Sequence, residues 1–134
     1  DLCVAFGYSG DMIQARNRAA EAKNGVVVAY SIPKEGAMMW VDMMAVPKDA
    51  PHAENALKFI DFILRPEIIA AISNTVAYAN PNVLATDLVD DEIRSNPNIY
   101  PPAEVRARLF FDKPVTPQYE RLRTRAWTKV KTGS

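Results

Sequence analysis

The spacing of apolar positions changes along the chain, and each spacing predicts a different element. Residues 2–6 (LCVAF) form a short apolar run with a β-branched residue, ended by Gly7, and predict a buried strand. Residues 7–11 (GYSGD) read as a turn. From residue 12 to 24 the period becomes helical, with Met12, Ala15, Ala19 and Ala22 on one side. Ser9 or Asp11 is placed to cap that helix, and Gly25 sits where a left-handed C-terminal cap belongs. Residues 26–32 (VVVAYSI) predict a second strand closed by Pro33, and residues 38–46 (MMWVDMMAV) a third after a turn at 33–36. Strand, helix, strand, turn, strand predicts an α/β fold.

The second half is helical in pattern. Residues 52–64 are amphipathic, with Ala53, Ala56, Leu57, Ile60, Ile63 and Leu64 expected inward. Pro66 opens a further helix to about residue 74. Residues 78–82 (YANPN) are a polar turn, and short helices are expected at 90–95 and 102–110 around a proline-rich loop. Thr116-Pro117 opens a last helix to about residue 131, with basic residues toward its C-terminal end, where the helix dipole favours them.

Composition narrows the function. The 134 residues are 49% apolar and 24% charged, which is ordinary for a globular domain. Sixteen Lys+Arg balance sixteen Asp+Glu, so the excess positive charge of a nucleic-acid binder is absent. No apolar run is long enough to predict a membrane-spanning helix. One cysteine and one histidine exclude an internal disulfide framework and a cysteine- or histidine-rich metal site, and no cofactor is expected. A chain that opens on Asp1 and enters a strand-like run at once reads as a trimmed exported protein or a piece of a longer one. Cys3 and the methionines between 38 and 44 are expected to be packing residues, and His52 and the Arg121, Arg123, Arg125 series to be solvated.

Asp42 breaks the pattern. Side chains alternate across a strand, so Trp40, Asp42 and Met44 share a face in an otherwise apolar run. A buried unpaired carboxylate is costly. Asp42 is therefore either on an edge strand or beside a loop it caps, or a carboxylate on a cleft wall next to the Trp40 ring. Tyr8 and Asp11 form a second pair, just past a strand and at the start of a helix, where open α/β sheets bind ligands. Asp11 is either a simple cap or a ligand group; its charge disfavours a phosphate at that helix start and suits a cation. Two acids and two aromatic rings suit an ammonium group, through charge-assisted hydrogen bonds and cation–π attraction of ~0.5–2 kcal/mol each. The rings also cover the methylenes of a linear amine.

The strings GYSGDMIQARNRAAEAKNGV, YSIPKEGAMMWVDMMAVP, VAYANPN, NPNIYPPAEVRARLF and RTRAWTKVKTG, in that order, resemble the C-terminal portion of the bacterial periplasmic polyamine-binding proteins, the putrescine and spermidine receptors of ABC importers. The resemblance implies part of a two-lobed periplasmic-binding-protein (type II) fold without catalysis. Residues 1–134 would contribute to both lobes, with a lobe crossing near 26–33. Asp11 would bind an amine with Tyr8 beside the chain; Trp40 and Asp42 would supply a second ring and acid; Tyr78 would close another side. The implied partners are a polyamine, the upstream N-terminal portion of the same protein, present in the same or a separate chain, and the importer's membrane permease, with no nucleic acid. The implied location is the periplasm. The family cysteine at the Cys3 position can pair with an upstream cysteine. Tyr8 departs from the tryptophan usual in that turn, a smaller ring with a hydroxyl that can donate. Other readings stay open: a receptor for another cationic solute, a small enzyme using Asp11 and Asp42 as an acid–base pair, or a fragment with no ligand of its own.

Overall fold

A computed structural model describes residues 3–133. Its order is α1 (Ser9–Ala22), α2 (Ala53–Ile63), α3 (Pro66–Val76), a 3-10 helix (Val83–Leu88), α4 (Asp91–Arg94), α5 (Ala103–Arg106) and α6 (Pro117–Thr132). The 3-10 helix is the element the sequence pattern does not announce. Asn82 starts it, its side-chain oxygen accepting from the Leu84 N–H at 3.0 Å.

The helices follow their local signals. Pro66 and Pro117 stand in first turns, where a missing N–H costs nothing. Thr116 accepts from the Tyr119 N–H at 3.3 Å and caps α6. α1 starts three residues earlier than its apolar spacing predicts, and it ends on Lys23 in the left-handed region at φ 48°, two residues before Gly25.

The strands differ from expectation. Among the described residues, 3–6, 26–32 and 38–46 form no ladder and carry no regular secondary structure apart from one bridge at Met38 (Leu2, the first residue of the expected first strand, lies outside the described residues). The single pairing among the described residues is a parallel bridge between Met38 and Phe110. There the Met39 N–H donates to the Phe110 carbonyl at 2.8 Å, and the Phe110 N–H to the Ala37 carbonyl at 3.1 Å. Gly36 makes that approach possible: its φ of 110° is left-handed, and a Cβ there would strike the Arg108 carbonyl oxygen. A strand has no hydrogen bonds of its own and needs a neighbour to complete it. Without one, the apolar runs stay in water: Phe6 is 95% exposed, Val27 91% and Met43 87%. Cys3 is likewise an exposed thiol and Met43 and Met44 are exposed, where core packing is expected for them. The inward face expected of α2 is only partly covered, with Leu57 and Leu64 exposed.

What is buried lies around α1 and α3. Ile13, Ala77 and Ile99 form one cluster, and Ala70, Ala85 and Val89 another. Ile93 and Tyr100 pack against both and join them. This small core fixes the start of α1 relative to the end of α3.

Candidate functional site

The first turn of α1 is built around an uncapped helix start. Tyr8 takes the N-cap position with extended backbone and no side-chain cap, and Asp11 lies in the first turn. Neither Ser9 nor Asp11 is the cap, so the simple capping role open for Asp11 is not the one it plays. Among the described residues, no ion pair or hydrogen bond engages the carboxylates of Asp11 or Asp42, and both residues are exposed. Carboxylates without a salt partner, one at the positive end of a helix and one on a segment outside the helices, suit a cation.

The two expected rings, each read from the sequence beside its own acid, are in contact. The rings of Tyr8 and Trp40 lie 6.3 Å apart between centroids at 70°, an edge-to-face arrangement. Residues 32 apart in sequence are thus brought together on one wall, each about half exposed. Asp42 lies on the same segment as Trp40, two residues on.

Tyr78 reaches the same helix start from α3. α3 ends on Ala77 in the left-handed region at φ 57°, with the Ala77 N–H donating to the Ser73 carbonyl at 2.9 Å. That bend lays the Tyr78 ring on Gly10: a Cβ at Gly10 would lie 2.5 Å from Cδ2 and 2.6 Å from Cζ, and closer still to Cε2. Burial pushes the Tyr78 hydroxyl above its ordinary value of 10.0; the Asp11 carboxylate and the Tyr30 hydroxyl push the same way, while the backbone amides of Asp11 and Gly10 pull it back. Burial also raises Tyr30. The structure therefore gathers Tyr8, Asp11, Trp40 and Tyr78 near the start of α1 and adds Gly10 and Tyr30. The sequence pattern passes over Tyr30 because an aromatic residue in an apolar run reads as core.

This wall is open. Two apolar grooves run elsewhere: one of about 280 Å³ along α3, lined by Ile68, Ala71, Ile72, Thr75 and Val76, and one of about 460 Å³ along α6. Neither includes the predicted site residues. Among the described residues no group of histidine, cysteine, aspartate and glutamate is arranged to hold a metal ion, and no helix is long and apolar enough to cross a membrane.

Comparison with known proteins bears on what such a wall does. A model of the family described as bacterial extracellular solute-binding protein matches residues 3–101. The chain is 57% identical to the putrescine-binding periplasmic protein PotF of Escherichia coli over 133 residues, 99% of this chain and 36% of that protein. It is 50% identical over 133 residues to the putrescine-binding periplasmic protein SpuD of Pseudomonas aeruginosa, 99% of this chain and 36% of that protein. A putrescine/agmatine-binding protein of Pseudomonas aeruginosa is 43% identical over 134 residues, 100% of this chain and 36% of that protein. The chain thus spans 36% of the length of these relatives.

Proposed function

The chain belongs to the bacterial extracellular solute-binding protein family, and we propose that it is part of a receptor that captures a linear polyamine, putrescine or spermidine, in the periplasm and delivers it to the membrane permease of an ABC importer. The observation that carries this reading is the start of α1, where an uncapped helix presents Asp11 without a salt partner and is flanked by the Tyr8–Trp40 pair and Tyr78. One ammonium pairs with Asp11 and the other with Asp42, and the rings of Tyr8, Trp40 and Tyr78 cover the methylenes between them. The role is binding, with no chemical step; the names of the relatives support it.

The remaining walls come from the rest of a two-lobed receptor. The exposed apolar runs around Phe6, Val27 and Met43 support this, since each has the pattern of a strand and none forms a ladder among the described residues. The segment 26–33 is the crossing between lobes, and residues on either side serve different lobes. Cys3, an exposed thiol, is free to pair with an upstream cysteine.

Calorimetry of the intact receptor with putrescine, spermidine and a neutral diol of matching length tests the reading. Binding of the amines but not the diol is expected. Equal binding of diol and amine would show that the carboxylates are not the recognition groups. A receptor for another cationic solute is the second reading, favoured by Tyr8, whose hydroxyl oxygen can accept from an added N–H at the pocket wall; a guanidinium compound outcompeting both amines would establish it.

A further inference from the structure

The chain on either side of Tyr78 is held by hydrogen bonds that the proposed ligand contacts do not use. Two residues on, Asn80 enters a polar network on Ser73, a buried polar residue only 2% exposed. The Asn80 side-chain amide donates to Ser73 Oγ at 2.9 Å and to the Tyr100 hydroxyl at 3.4 Å. The Asn80 backbone N–H also donates to the Tyr100 hydroxyl at 3.4 Å. Asn80 Oδ1 accepts from the Asn82 N–H at 3.0 Å, so the side chain is used on both its donor and acceptor sides. On the other flank, Gln14 of α1 donates to the Val76 carbonyl at 3.3 Å and ties α1 to the end of α3.

Tyr78 therefore stands between two anchored points, Val76 and Asn80, each two residues away. Ala77 between them is buried against Ile13 in a conformation that L-residues adopt at a cost. A half-buried amide used on both sides and tied to the buried Ser73 is hard to move, because a shift breaks those bonds. The ring it steadies rests on the backbone of Gly10, where a small displacement changes contact with anything beside Asp11.

We propose that Asn80, anchored by Ser73 and Tyr100, is a positioning residue of the ligand site, setting the Tyr78 ring at the height on Gly10 that lines a bound amine. This rests on the amine-binding reading above. Asn80 acts through Tyr78, and its effect on binding exists only while the Tyr78 ring is present.

A double-mutant cycle in the intact receptor tests it, with titration by putrescine. Asn80→Ala is expected to weaken binding about tenfold, within the coupling range of contacting residues. The same substitution in a Tyr78→Ala background is expected to change binding by less than about twofold. Tyr100→Phe removes one hydroxyl and keeps the ring packed; it serves where Asn80→Ala fails to fold, with a loss of about threefold, again only when Tyr78 is present. Equal losses in both backgrounds, or no loss in the parent background, would overturn the positioning role. A parent receptor that binds no linear amine overturns the amine-binding reading instead, before any variant is compared.

Discussion

The ring of Tyr78 packs against Gly10, so close that a methyl group at Gly10 would sit 2.5 Å from Cδ2. Two segments 68 residues apart meet there without room for a side chain between them. Helix propensity alone favours alanine over glycine in α1 by up to about 1 kcal/mol. Overpacking costs about 1–3 kcal/mol and wins. Gly10→Ala should lower the melting temperature and weaken amine binding together. In a Tyr78→Ala background the same change should be neutral or stabilising; a melting temperature that falls equally in both would show the clash is not with Tyr78.

Charge recognition rests on Asp42 as well as Asp11. Asp42→Asn keeps size and an acceptor but removes the attraction to an ammonium. Hydrogen bonds to charged groups are worth roughly 1.5–3 kcal/mol, so putrescine binding should fall about tenfold to a hundredfold. Asp42→Glu should lose much less. Calorimetry of both variants in the intact receptor decides it: an Asn variant binding as tightly as the parent would assign Asp42 a structural role.

The Tyr8–Trp40 pair should act through contact rather than charge. Trp40→Ala removes ring cover from the methylenes and leaves Tyr8 without its edge-to-face partner. Binding should weaken, with a salt dependence like the parent's, whereas Asp42→Asn should flatten it. Titration at two ionic strengths separates the two behaviours.

Tyr78 and Tyr30 both have hydroxyls pushed above the ordinary 10.0, with burial the largest cause. A group whose folded value is raised stabilises the fold fully below its unfolded value and loses that contribution as pH rises through the folded value. Stability should therefore fall at alkaline pH beyond 10.0, and Tyr78→Phe should remove part of the fall. Denaturant midpoints of parent and variant across that range measure it; identical profiles would mean that Tyr78 does not ionise with unfolding.

The exposed strands make a prediction about the chain by itself. Val4 at 89% and Phe6 at 95% exposure are apolar residues in a strand-patterned run that forms no ladder. The 134-residue chain alone should self-associate and bind an apolar dye, and the upstream portion supplied as a second chain should suppress both. Sedimentation and dye fluorescence check this. A monomer that unfolds cooperatively without the upstream portion would contradict it.

Helix positions were legible because helix bonds are local. Each runs from one residue to the fourth before it, so Pro66, Pro117 and the Thr116 cap mark their own ends within a few residues. The spacing of Trp40 and Asp42 and the turn at Tyr8 and Asp11 were legible for the same reason. The contact of Tyr78 with Gly10, the left-handed Ala77 and the Asn80–Ser73–Tyr100 network were not. Each depends on groups that meet only after α1 and α3 pack, and no local spacing records that meeting. The strands show the converse. Their apolar pattern is plain in the sequence, but a ladder is completed by a neighbouring strand, and within residues 3–133 only Met38 and Phe110 find one another. Sequence determined which segments can be helix or strand; tertiary structure decided which strands are paired and where Tyr78 stands, because both are properties of distant chain brought into contact.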